Sequence, residues 1–533
     1  MDNVTSHPFV TASVLQSHNS RGSTIVPAAV AFVLALGLLL VYNKGDFRRI
    51  HETEEPPVLC SKIPLVGHLI GMLRWQVGYM QMLSSKCPSW PAFTLKIFSS
   101  RIYVICDPFL IQAAYRNAKA FDFGSFVVES SERLFDISEQ GMKIVRGETA
   151  PGYDPHGPLL NGNNGYSFLN EDHRLMAEAL SPGPALLDLN KAVLDRVAGS
   201  LNDINTTKHN IGLDFEADMT LLMLQFLPTL IAPKAYRARQ RIKAAFANYY
   251  ENGYEKCASV LIRSHHAGCK KWGFTDDDIA NFEVSTLFLA TTNTVSTSFW
   301  QLSYILSDPD LLREIRTEVL SVVKRTTRDG MECATVDTTL FQSHCPLLVS
   351  SFHETLRLVG AATSIRAVVT PTVLSSPSSS TTYSLQSPAV IQLPSGVTHT
   401  SPAIWGPDAN TFNPGRFLPK TKASLDKETR RKQNQGYFPF GGGKHLCPGR
   451  HFAKTEVLAF IAAIVTGFEV EGSCVPERAF QKLGTGVRKP VCDVDVGIVR
   501  KEGWENVKWV FSLGGNGGGE VDFKTLVGDS DEE

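Results

Sequence analysis

The chain has 533 residues, 43% of them hydrophobic, with a formal net charge of −1. That is ample material for a large core, and the balanced charge argues against a nucleic-acid binder. Ten cysteines are scattered without a CxxC pair, which speaks against zinc and a disulfide framework and for reduced thiols.

From the N-terminus, residues 25–42 read IVPAAVAFVLALGLLLVY and carry no charge. Eighteen helical residues span about 27 Å, near the thickness of a thin bilayer core. Lys44, Arg48 and Arg49 follow, whereas Arg21 alone precedes. The positive-inside rule then predicts a lumenal stretch over 1–24, a transmembrane anchor over 25–43 and everything after it in the cytosol. The alternative is a cleaved signal peptide, disfavoured by the length of the run and the lack of a basic start. The sequon Asn3-Val4-Thr5 makes Asn3 a candidate for lumenal glycosylation, while that at Asn205 would be cytosolic and unused. Residues 44–68 form a linker stiffened by Pro56, Pro57 and Pro64.

Beyond the linker, residues 93–106 read as short strands, and helical patterns dominate from about 170 to 360. One helix is predicted from Asp276 to about Leu306, capped by Thr275 with three aspartates in its first turn. Asp308-Pro309 ends it, and another helix is predicted from Asp310 to about Val323. Glu354 and Arg357 share one helical face and can pair. Residues 375–388 are Ser-rich and read as a polar loop or hairpin. Residues 513–533 form a Gly-rich, acidic tail.

The most informative run is FPFGGGKHLCPGR, residues 438–450. Three glycines allow a tight turn and close approach to a flat cofactor, and Cys447 stands at its end. Such a thiolate suits axial ligation of heme iron. A buried structural cysteine on a Gly-rich turn is the plain alternative.

The spacing of Phe440, Gly443, Cys447 and Gly449 resembles the heme-binding signature of the cytochrome P450 family. The resemblance covers roughly 55–510 and is strongest in the last third. It implies a mainly α fold with small β-sheets, a single catalytic domain over 69–512 and heme (iron protoporphyrin IX) as cofactor, with Cys447 on the metal. It further implies a buried charge network of Glu354, Arg357 and Arg416, and propionate contacts from Arg366, His445 and His173, with Arg174 beside it. On the oxygen-activating helix, Ala290-Thr291-Thr292-Asn293-Thr294 stands where the family usually has Ala/Gly-Gly-x-Asp/Glu-Thr. Thr294 keeps the hydroxyl expected in catalysis, and Asn293 replaces the acid with a group that does not titrate near neutral pH. Asn293-Thr294-Val295 and Ala362-Thr363-Ser364-Ile365-Arg366 look like the branch containing cholesterol 7α-hydroxylase and prostacyclin synthase, and the Cys447 loop looks like its filamentous-fungal members.

The implied function is an endoplasmic-reticulum, single-pass monooxygenase in contact with membrane lipid. It would act with O2 on an apolar small molecule such as a terpenoid, steroid-like or polyketide-derived intermediate. Electrons would come from an NADPH-cytochrome reductase facing Lys444, Arg450 and Lys454, since no nucleotide fingerprint follows a strand. Phe288, Leu289 and Val295 are candidate substrate contacts, with core packing their plain alternative. A heme-thiolate isomerase or dehydratase acting on a peroxide, and a heme sensor without turnover, are the other readings.

Overall fold

The computed structural model describes residues 55–63, 66–150, 167–203, 228–376, 381–479 and 485–514. Helices dominate, with small sheets at their edges. The helices framing the centre are α1 (Phe168–Leu180), α2 (Pro184–Asn202), α3 (Pro233–Glu251), α4 (Val260–Trp272), α5 (Asp276–Leu306), α6 (Pro309–Val322), α7 (Pro346–Val359) and α8 (Arg450–Gly467).

Helix α5 begins where its sequence signals lie. The Thr275 hydroxyl accepts the Asp278 N–H at 3.1 Å, and Asp276, Asp277 and Asp278 face the positive helix end. Its 31 residues extend about 46 Å at 1.5 Å each. Asp308 then caps α6, accepting the Asp310 and Leu311 N–H groups, with Pro309 in the first turn. Glu318 on α6 accepts the Leu347 and Leu348 N–H groups and so caps α7 from a neighbouring helix. Helix α5 packs on α7 and α8. Ile305, Leu348, Phe352, Leu458 and Ile461 belong to the main buried cluster at that junction.

The strands of the two larger sheets are β1 (Ala92–Ile97), β2 (Ser100–Ile105), β3 (Phe121–Asp122), β4 (Val323–Arg328), β5 (Met331–Asp337), β6 (Thr363–Val368), β7 (Ala389–Pro394) and β8 (Lys508–Ser512). One sheet runs β1-β2-β7-β6-β3 and the other β8-β5-β4. In the first, β6 pairs antiparallel with β7, setting Arg366 opposite Ile391. At the Ser-rich stretch, Thr372–Ser375 pairs antiparallel with Thr382–Leu385, and residues 377–380 lie outside the described residues. Residues 57–59 run beside β1, with Thr94 N–H donating to the Pro57 carbonyl and Leu59 N–H to the Thr94 carbonyl.

Among the described residues, no helix is long and apolar enough to cross a membrane. Helix α5 has the length but buries Asp278, Asn281, Glu283 and Gln301 among its apolar residues, as a core helix does. The expected fold class is corrected accordingly: the described residues form the mainly α fold with small sheets, and none of their helices is transmembrane. No described helix carries the expected single-pass placement in the endoplasmic-reticulum membrane or the lipid contact that goes with it. Asn3, residues 1–24 and the segment 25–43 that carried these expectations lie outside the described residues, as do Asn205 and residues 515–533.

A buried polar cluster ties α1, α3, α4 and α5 together. His265 Nδ1 lies 2.7 Å from Asp172 Oδ1 on α1, and its Nε2 lies 3.9 Å from Glu283 Oε1 on α5 and 3.7 Å from Cys269 Sγ on its own helix. Tyr250 from α3 donates to Glu283. Burial pulls the His265 pKa down, but Asp172 and Cys269 outweigh it, and the ring titrates well above the usual histidine range. A raised folded value stabilises fully below the unfolded pKa of about 6.5 and is lost as pH rises through the folded value. The thermal midpoint of His265→Gln is therefore expected to lie furthest below wild type near pH 6, with the gap closing as pH rises. A gap constant from pH 6 to 9 would show that the imidazolium contributes nothing.

Candidate active site

The Cys447 loop is folded by its own backbone. Gly441 N–H donates to the Phe438 carbonyl at 3.0 Å, Leu446 N–H to Gly443 at 3.1 Å, and Cys447 N–H to Phe440 at 3.0 Å. Gly443 has φ +65° and lies so close to the Tyr115 carbonyl that a Cβ there would collide with it. Gly449 ends the loop, and its carbonyl accepts the Ala453 N–H in the first turn of α8. Phe440 packs against the main core. Burial pushes the Cys447 thiol up, while the Gly449 N–H and the Arg450 charge pull the other way.

Three predicted polar residues gather beside this loop. His445 lies edge-on to His173 with ring centroids 5.3 Å apart, and 5.1 Å from the Phe123 ring. Burial, then the charges of Arg366 and its neighbours, push His445 down to about 4, so the ring is neutral at pH 7. Burial also lowers His173. Arg366 is 4% exposed, lies over the Tyr115 and Phe123 rings, and makes one long bond, 3.5 Å to the Gly442 carbonyl. Its Nε is buried without a partner. The nearby Asp122 carboxylate is taken by the Gly124 and Ser125 N–H groups and the Ser125 hydroxyl.

Behind the loop lies the charge network. Glu354 and Arg357 are fully buried and Arg416 is 8% exposed. Glu354 accepts from Arg357 Nε and Nη2 at 2.8 Å, from Arg416 Nε at 3.1 Å and from the Asn413 N–H at 3.0 Å. Arg416 Nη2 also reaches Asp408 at 2.7 Å, and Arg357 Nη1 donates to the His399 and Ala409 carbonyls. Sequence reasoning missed Asp408 and His399. His399 Nδ1 donates to the Gly360 carbonyl at 3.1 Å and Nε2 accepts the Phe438 N–H at 3.1 Å, pinning the start of the Cys447 loop to the end of α7. Burial pushes its pKa down to about 3, so the neutral ring keeps one donor and one acceptor. An isolated histidine in THTSPAIW carries no spacing signal that would have found it.

On α5, Leu287, Ala290, Thr291 and Val295 are exposed, with Thr294 partly so. The Thr294 hydroxyl donates to the Ala290 carbonyl at 3.2 Å. Asn293 Oδ1 is turned elsewhere and accepts the Gly486 N–H at 2.8 Å. Among the candidate substrate contacts, Phe288 is buried in a cluster with Leu134 and Ala235, whereas Leu289 and Val295 are exposed.

The cytochrome P450 family model matches residues 198–490. The chain belongs to the cytochrome P450 family. This P450 is 27% identical over 525 residues to the cytochrome P450 monooxygenase nodJ of Hypoxylon pulicicidum, covering 94% of this chain and 99% of that one. It is 34% identical to the cytochrome P450 monooxygenase calL of Penicillium decumbens over 79% of this chain and 86% of that one. It is 28% identical to the cholesterol 7-alpha-monooxygenase of Cricetulus griseus over 87% of this chain and 97% of that one.

Family membership implies a heme-thiolate cofactor, and the residues present suit it. A buried guanidinium with no carboxylate partner among the described residues and two imidazoles fit the carboxylates at a heme's edge. A cysteine on a glycine turn, too tight for side chains, fits its iron face.

Proposed function

We propose that this P450 is a monooxygenase that hydroxylates or oxidises an apolar small molecule of terpenoid, steroid-like or polyketide-derived type. It would take electrons from an NADPH-cytochrome reductase. Residues 69–512 form the catalytic domain, between a Pro-containing linker over 44–68 and the tail over 513–533. The observation that carries the reading is Arg366, buried beside the Cys447 loop with its Nε unpartnered. The fungal relatives support the monooxygenase activity, and the cholesterol named in the mammalian one supports an apolar, steroid-like substrate. That relative also supports the cholesterol 7α-hydroxylase side of the branch.

When bound, heme supplies the O2 chemistry: one oxygen atom enters a C–H bond of the substrate and the other leaves as water, using two electrons and two protons. Cys447 serves as thiolate ligand, because a thiol gives up its proton on coordination. Arg366, His445 and His173 hold the propionates. Glu354, Arg357, Arg416 and His399 keep the loop in place without touching the reacting atoms. The Thr294 hydroxyl, on the open face of α5, orders water that brings protons in. Lys444, Arg450 and Lys454 border the loop and form the reductase side.

The test is the reduced, CO-bound difference spectrum, followed by turnover under 18O2 with NADPH and reductase. A thiolate-type red-shifted Soret band and label in the product are expected. A folded chain with no heme band overturns the family chemistry at this site. A substrate peroxide isomerised or dehydrated without NADPH, with no label taken from 18O2, overturns the monooxygenase in favour of the isomerase or dehydratase, a reading favoured by the absence of an acid at position 293.

A further inference from the structure

The residue that breaks the family pattern has a definite partner. Asn293 Oδ1 holds the Gly486 N–H at 2.8 Å. Gly486 belongs to a turn, residues 485–488, that is bound on both sides. Its carbonyl accepts the Ala361 N–H at 2.9 Å, and the Arg488 N–H donates to the Val359 carbonyl at 2.9 Å. Gly360 bridges Val487, and Trp300 Nε1 on α5 donates to the Arg488 carbonyl at 2.7 Å. Thr485 and Val487 are both 5% exposed. The turn thus spans from α5, beside Thr294, to the segment that leads into β6 and Arg366. It is seated tightly: a Cβ on Gly486 would lie 3.1 Å from Asn293 Oδ1.

The chemistry of position 293 follows from this contact. The Gly486 N–H needs an acceptor, and an amide oxygen supplies one without placing a charge in a half-buried site. An amide cannot hand on a proton near neutral pH, and this one's oxygen is already engaged. We propose that Asn293 is a positioning residue. It fixes the 485–488 turn against α5 and thereby the pose in which substrate is held, and it carries no proton. The substrate part of this inference rests on the monooxygenase reading above; the tether itself does not.

The test compares Asn293→Leu, Asn293→Ala and Asn293→Asp. Leucine and alanine remove the acceptor, whereas aspartate keeps one. Hydrogen exchange of the Gly486 amide is expected to speed up roughly tenfold or more in the Leu and Ala variants, the loss of one part-buried hydrogen bond, and to stay near wild type in Asp. With substrate, the Leu and Ala variants are expected to spread oxidation over additional positions and raise KM more than they lower kcat. Asp is expected to restore the wild-type product pattern. Unchanged exchange in the Ala variant overturns the tether. Product scrambling in Asp equal to that in Ala, with the turn still protected, overturns the positioning role. The exchange measurement needs no bound heme, so a missing heme band in wild type would sink the proposed function while leaving the tether standing or falling by itself.

Discussion

Replacing Glu354 with alanine is expected to cost the fold about 3–5 kcal/mol, because it strands buried charge. The carboxylate is fully buried and takes hydrogen bonds from two arginines and a backbone N–H. Among the described residues, removing it leaves the fully buried Arg357 with carbonyl partners only, and leaves Arg416 with Asp408 as its one anion. Asp408 sits nearer the surface, with 44% of its side chain exposed, so it cannot replace a charge fixed at the centre. The damage should reach the cofactor site, since Arg357 holds the His399 carbonyl and His399 holds Phe438 at the root of the Cys447 loop. The expected result is a large drop in thermal midpoint together with loss of heme at temperatures where wild type keeps it. Glu354→Gln should fall between the two, because it keeps the shape and loses the charge. A Glu354→Ala chain that melts with wild type would show that the network contributes no stability.

The second large effect is chemical rather than structural. Cys447→Ala is expected to abolish the red-shifted Soret band and turnover while leaving the apoprotein folded. The loop is shaped by backbone bonds among Phe438, Phe440, Gly441, Gly443 and Cys447 itself, and none of them uses the cysteine side chain. Serine should fare no better, since its hydroxyl does not ionise in the accessible pH range and burial already opposes ionisation even of the thiol. Circular dichroism and the CO difference spectrum separate the two effects. A normal thiolate-type band in Cys447→Ala would assign the ligand to another residue.

The sequence made local features legible and distant ones not. Thr275 as a cap, the exit at Asp308-Pro309 and the Glu354–Arg357 pair are written within four residues of chain, and each stands where local spacing predicts it. The glycines before Cys447 announced a tight turn, and Gly443 needs one. Asp408 and His399, by contrast, act across chain distances at which spacing carries no information. Position 293 shows the same limit. As an isolated departure from a pattern it suggests a weakened proton path, and only the fold brings Gly486 to it from 193 residues away. One local signal went unread: Asp329-Gly330, both at positive φ, turns β4 into β5 directly after α6. The apolar run at 25–43 lies outside the described residues, so no contact of the fold bears on it.

The sheet β8-β5-β4 has a consequence for biosynthesis. Strand β5 pairs with β4, its neighbour in the chain, but its other edge pairs in parallel with β8, setting Cys333 beside Lys508. That partner is about 175 residues further on. On a ribosome adding about 5–20 residues per second, the open edge of β5 waits roughly 10–35 s for its mate. Trp509, on β8, is buried in the same cluster as Leu458 and Ile464 of α8, so this side of the core also stays unfinished until the end of the chain emerges. A nascent chain of this protein therefore exposes a bare strand edge and apolar helix for most of its C-terminal synthesis, and a stop codon shortly before Lys508 would leave that exposure permanent, a substrate for chaperones and proteases.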